Sequence, residues 1–247
     1  MTLTAGLWGA VGASSLLLGA LIALAPAIHG WLVERHEWRL GLLMAFGAGV
    51  LVSAVAFDLF EEAVNASVGG IDVALGFALG AIAFFVGDEL IDRWTARSDA
   101  ADDNGASPLG ILLGTILDGI PESVVIGVSL IAGGGVSVAV LAAVFLSNIP
   151  EAISSTPGLA VRFGARGTLA IWSVVVVASA LAAALGYGLL GSAPPAIVTG
   201  LQAFAAGAML VMLADEMIPG AHARGHTAAG LATACGFAVA ALLSFGT

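Results

Sequence analysis

Two short segments inside long apolar runs carry the residues best able to do chemistry. One reads Leu117-Asp118-Gly119-Ile120-Pro121-Glu122-Ser123, the other Ser147-Asn148-Ile149-Pro150-Glu151. Asp118 and Glu122 are four apart, a spacing that places both carboxylates on one face of a helix. Ser147 and Glu151 are also four apart, and Asn148 and Glu151 are three apart. The tripeptide Ile-Pro-Glu occurs in both segments. Each proline removes a backbone hydrogen bond from its helix, which would turn carbonyls around Leu117 and Leu146 toward the same space. Carboxylates, an amide, a hydroxyl and loose carbonyls make an oxygen-rich set suited to hard or borderline divalent cations. Neither stretch holds an arginine or lysine to neutralise it. Two bonded, protonated carboxylates, or a proton relay without metal, are competing readings of the same residues.

The surroundings of these segments set the fold class. Of the 247 residues, 60% are hydrophobic and 10% charged, where a soluble domain carries roughly 25% charged. Mean hydropathy is +1.07. The apolar runs recur over the whole length, and several reach the ~20 residues that cross a bilayer as a helix. They predict eight spans, at about 4–26, 40–64, 71–93, 108–131, 135–160, 167–190, 195–219 and 226–245. The expected fold is an all-α membrane protein, one transmembrane domain over residues 1–247 with a polar loop at about 94–107. Ala132 to Gly135 and Ser192 to Pro195 mark other breaks. The first span lacks a basic leader and a cleavage site, so it reads as a helix of the fold. Asp118, Glu122 and Glu151 then fall near the membrane midplane, where an ionisable residue is a functional candidate by default.

Arginine orients the chain. There is no lysine, and Arg35, Arg39, Arg93, Arg97, Arg162, Arg166 and Arg224 all lie in or beside the first, third, fifth and seventh connections. The positive-inside rule puts those connections in the cytoplasm and both termini outside. Spans four and five, joined by a short outer turn, become antiparallel neighbours. A weak internal repeat fits this topology. Phe46-Gly-Ala-Gly in span two aligns with Phe204-Ala-Ala-Gly in span seven, so that Phe46/Phe204, Gly49/Gly207 and Ala63/Ala221 match and Asp58 falls on Glu216. The two spans run in opposite directions, as in the inverted repeats of many transporters.

Other polar residues read less sharply. Asp58, Glu61 and Glu62 near the outer end of span two could form an entrance or a solvated helix end. Asp88, Glu89 and Asp92 close span three on the inside near Asp215 and Glu216, where with His222 and His226 they could receive a departing ion. The two histidines fit equally well in a loop that meets water. The acidic loop holds Asp99, Asp102 and Asp103. His29 and His36 read as interfacial residues, and Met209 and Met212 as packing or lipid-facing residues. The single cysteine, Cys235, excludes a disulfide framework, and the net charge of −10 argues against nucleic acid.

These motifs resemble the ZIP (Zrt/Irt-like) metal transporters. The likeness covers essentially the whole chain and is strongest at 46–62, 115–128, 144–158 and 204–222. It implies an inverted 3+2+3 repeat with helices four and five at the centre, a metal site between them, and transport of zinc, manganese or iron toward the cytoplasm. Carried over by position, Glu122 and Glu151 match ligating glutamates and Asp118 stands at a ligating histidine. Ser147 and Asn148 stand where relatives often have stronger ligands, and Asp215 where histidine commonly precedes the glutamate matched by Glu216. The resulting candidate metal residues are Asp118, Glu122, Ser147, Asn148, Glu151, Asp215, Glu216 and Asp58. The sixth span, Gly167 to Leu190, has no carboxylate, and the usual embedded histidines are missing. Imidazole suits zinc and carboxylates suit harder ions, so the expectation shifts toward manganese or iron(II).

The expected partners are the lipid bilayer and divalent metal ions, with a homodimer permitted by the small-residue helix faces. No prosthetic group is expected, the metal being cargo. No HExxH or GxSxG motif is present, so an enzyme is not expected. The alternative function is a proton- or sodium-coupled carrier of a small solute. Arginine without lysine and richness in Ala and Gly point to a prokaryotic cytoplasmic (inner) membrane.

Overall fold

A computed structural model describes residues 1–25, 37–99, 108–130 and 138–245. Among the described residues the chain is helical throughout, with no strand. Helix α1 is Thr2–Leu24. Helix α2 is Glu37–Ala66 and contains a π-helical stretch, Ala54–Glu61. Helix α3 is Ile71–Asp99 and α4 is Pro108–Ser129. The tract Val138–Leu190 is interrupted at Gly164 (φ 67°, ψ 170°), which divides it into α5, residues 138–163, and α6, residues 165–190. Helix α7 is Pro195–Gly225, with a π stretch at Leu213–Met217, and α8 is Ala228–Phe245.

Among the described residues, five helical tracts are long and apolar enough to cross a membrane: Thr2–Leu24, Glu37–Ala66, Ile71–Ala96, Val140–Leu190 and Pro195–Gly225. Their outer faces agree with that setting. Leu75, Leu79, Ile82 and Phe85 of α3, and Val174, Val177, Leu181 and Leu185 of α6, are each more than half exposed. Stripes of large apolar side chains at helical spacing do not face water in a stable monomer. The fold is that of an all-α, multi-pass membrane protein.

Small residues let the helices approach closely. A Cβ added to Gly49 of α2 would lie 1.9 Å from the Thr233 carbonyl oxygen of α8 and 2.8 Å from the Phe237 nitrogen. A Cβ added to Gly207 of α7 would lie 2.1 Å from the Phe77 carbonyl oxygen of α3 and 3.1 Å from the Ala81 nitrogen. Gly236 of α8 abuts the Phe46 carbonyl, and Gly80 of α3 abuts the Phe204 carbonyl. The α2–α8 and α3–α7 crossings therefore each set two glycines against backbone carbonyls, Gly49 and Gly236 in the first, Gly207 and Gly80 in the second.

The expected boundaries differ from the structure in three places. The connection anticipated between spans five and six is helical apart from Gly164, whose backbone angles are essentially glycine's alone. Across that break, Trp172 Nε1 donates to Thr156 Oγ1 at 2.9 Å in a buried bond that ties α6 to α5. Span seven continues to Gly225 and carries His222 in its last turn, with His226 just beyond it at φ 51°. The polar loop expected from residue 94 begins later, because α3 runs to Asp99. The rest of the expected loop with Asp102 and Asp103, the break expected at Ala132 to Gly135, and His29, Arg35 and His36 lie outside the described residues.

Candidate functional site

Helices α4 and α5 sit among the others and bring the two polar segments together. Gly19 of α1 meets the Ile149 carbonyl and Ala152, Gly47 of α2 meets Ser147, Gly87 of α3 meets Leu117, and Gly127 of α4 meets the Ala183 carbonyl of α6. Each contact lets a helix backbone approach the pair. A core of buried side chains, among them Leu51, Val55, Val125, Ile126, Val144 and Met209, packs beside it.

The central feature is a cavity of about 280 Å³. Asp118 and Glu122 of α4, Ser147 and Glu151 of α5, and Glu216 of α7 all line it. Asn148 lies in a smaller adjoining recess with Glu122, Glu151, Thr115 and Ser123. Asp118, Glu122, Ser147 and Asn148 are buried, at 8%, 5%, 3% and 3% exposure. Glu216 is exposed.

The carboxylates are sparsely bonded. Ser147 Oγ lies 3.3 Å from Glu122 Oε1 and 3.0 Å from the Val144 carbonyl oxygen. A hydroxyl has one proton to give, so the Ser147 bond is a shared one, and Asn148 supplies Glu122 with a second side-chain hydrogen bond. Asp118 Oδ1 and Glu151 Oε1 are buried with no hydrogen-bond partner. A buried polar atom left without a partner costs about 1–3 kcal/mol, more when charged. Native proteins retain such atoms where a site needs them. Among the described residues, no three acidic, imidazole or thiol side chains converge on a single point. The carboxylates are spread over the cavity wall, as mutual repulsion favours.

The π stretch Leu213–Met217 bears on Glu216. Pro219 cannot donate to the carbonyl four residues earlier, and the widened turn immediately before it accommodates that loss. Such π segments concentrate at functional sites.

Two of the sequence candidates lie elsewhere. Asp58 lines a separate cavity of about 300 Å³ with Phe57, Glu61, Glu62, Asn65 and Ser244, at the far end of α2. There Ser244 Oγ donates to Asp58 Oδ2 at 2.9 Å, and Gln202 Nε2 to Glu62 Oε2 at 2.9 Å. Asp215 is exposed and does not line the central cavity. Glu89 pairs with Arg93 at 2.6 Å on the surface of α3, and His222 is exposed.

The cavity also has walls that the motifs did not announce. Thr115, Ser154 and Ser155 line it. Their spacing of three or four residues from Asp118 and Glu151 puts them on the same helix faces, a signal that was open to reading. Met44, Met212, Met217 and Arg224 line it too. Met212 is buried but faces this cavity as well as the packed core. No protein-family model matches the chain, and a search among curated proteins finds no match.

Proposed function

We propose that the chain is a ZIP-like transporter that carries divalent metal cations across the membrane, probed by the ion at the carboxylates of α4 and α5. The observation that carries this reading is one cavity lined by Asp118, Glu122 and Glu151, with buried oxygens on Asp118 and Glu151 that lack any partner. Oxygens in that state gain most from a cation. Ser147, Asn148 and Thr115 add neutral oxygens. The wall offers no imidazole or thiolate among the described residues, and losing imidazole in favour of carboxylate and hydroxyl oxygens lowers the preference for zinc and shifts selectivity toward harder ions such as manganese.

The proposed architecture is eight spans in an inverted 3+2+3 repeat around α4 and α5. It is supported by the reciprocal crossings of α2 with α8 and α3 with α7 at Gly49 and Gly207. The distribution of arginines supports outer termini and a cytoplasmic-membrane home. In that orientation the cavity reaches from the midplane to the cytoplasmic side, because Met44, Gly220 and Arg224 lie at the inner ends of α2 and α7. The metal would then leave into the cell. No enzymatic role is proposed.

The alternative, a proton- or sodium-coupled carrier of a small solute, draws on one observation. The cavity has room for more than a bare ion, and it carries a guanidinium and several hydroxyls that could bind an anionic solute. Competition among zinc, manganese, iron(II) and cadmium for uptake by protein reconstituted in liposomes tests the proposal. A ranking with manganese or iron(II) above zinc is expected. A strong zinc preference would refute the argument from donor chemistry, and indifference to all four ions would favour the solute carrier.

A further inference from the structure

We infer that Arg224 is an electrostatic gate at the inner mouth of the central cavity, placing a fixed positive charge where a departing divalent cation must pass. This rests on the transport reading above. Arg224 lines the same cavity as Asp118, Glu122, Glu151 and Glu216, and a guanidinium stays charged at any relevant pH. Its position is built by the fold. Gly41 of α2 crosses the end of α7 so tightly that a Cβ there would fall 2.3 Å from the Gly225 nitrogen and 2.8 Å from the Arg224 carbonyl carbon. Nη1 is then held by the Gly220 carbonyl at 3.2 Å and lies 3.7 Å from Met44 Sδ.

The partners it lacks decide the role. With four carboxylates on the wall, Arg224 makes no ion pair with any of them among the described residues. A residue serving to neutralise the carboxylates would be bonded to one of them. Arg224 is instead tethered to a neutral carbonyl and a thioether at the rim. The carboxylates stay available to a cation, and the guanidinium repels that cation on its way out. Repulsion grows with the charge of the ion, and a half-buried group is screened less than a surface one. The gate therefore slows release and re-entry from the cytoplasmic side.

The test is manganese flux in proteoliposomes, inward and by counterflow, for wild type, Arg224→Gln, Arg224→Met and Arg224→Lys, with manganese binding measured in detergent. The two uncharged variants are expected to raise flux in both directions by roughly three- to tenfold and to bind manganese more tightly. Arg224→Lys keeps the charge and is expected to hold release slow. Using two uncharged variants of different shape guards against one that fails to fold. Equal flux in all four proteins overturns the gate while leaving the transport reading intact. Faster flux in Arg224→Lys as well makes the effect one of shape and also overturns it. Loss of flux in both uncharged variants, with folding shown by size exclusion, assigns Arg224 to substrate binding and overturns it. Absence of flux in wild type for manganese, zinc, iron(II) and cadmium alike removes both readings together.

Discussion

Neutralising a glutamate of the cavity should make the protein more stable and less responsive to metal. Glu151→Gln keeps the shape of the side chain and removes its charge. In the wild type Glu151 Oε1 is buried without a partner, and other carboxylates share the cavity wall. The amide keeps the buried polar atoms and loses only the charge, so what it relieves is the extra desolvation of the carboxylate and its repulsion from the neighbouring acids, about 1–3 kcal/mol, and in a chain of this size each kcal/mol moves Tm by about 2–4 °C. The variant should therefore melt about 2–12 °C above wild type in metal-free detergent. Metal should reverse the order. A ligand at a hundredfold its Kd stabilises by about 2.7 kcal/mol, so saturating manganese should raise the wild-type Tm by about 5–10 °C and leave Glu151→Gln nearly unmoved. Asp118→Asn should behave alike, because Asp118 Oδ1 is also unpartnered. Thermal unfolding followed by intrinsic fluorescence, with and without manganese, reads both effects. A variant that melts below wild type without metal, or that gains as much from manganese, would refute the reasoning.

Three further outcomes follow from the packing. Gly49→Ala and Gly207→Ala should each destabilise by about 1–3 kcal/mol through overpacking, since their Cβ atoms would strike backbone oxygens, while Gly230→Ala, with open space around it, should not; Tm values of the three compare them directly. Gly164→Ala should cost about 1–3 kcal/mol from backbone strain alone, because nothing lies within 4 Å of the added carbon, and a Tm equal to wild type would contradict that. Trp172→Phe removes the buried bond to Thr156 and should cost about 0.5–1.5 kcal/mol, read from the same melts and from faster proteolysis around 164.

The helices were legible because long apolar runs and their polar or glycine-rich breaks report directly on what a bilayer accepts. The expected spans 4–26, 71–93 and 226–245 fall within a few residues of α1, the body of α3 and α8. Residues 161–166 misled because two arginines and a glycine read as a loop, whereas one glycine with φ 67° turns the chain with the helix resuming at once. The π stretches were not legible, since they depend on tertiary packing and, in α7, on Pro219. Asp118, Glu122 and Glu151 stood out because a charge inside an apolar run has few explanations. Asp58 stood out for the same reason, yet it lines the other cavity, since the aligned pair Asp58 and Glu216 sits at opposite ends of the fold. Arg224 and Met44 join the cavity only through the crossing at Gly41, and no local pattern announces a contact between helices so distant in the chain.

The central claim is that a divalent metal crosses the membrane through the carboxylates of α4 and α5. Its most direct test is manganese uptake into liposomes by wild type beside the Glu122→Gln/Glu151→Gln double variant, both shown to be folded and inserted. Uptake by the wild type that disappears in the double variant is the predicted result. Uptake that survives in the double variant, or a folded wild type that carries no manganese, zinc, iron(II) or cadmium, would contradict it.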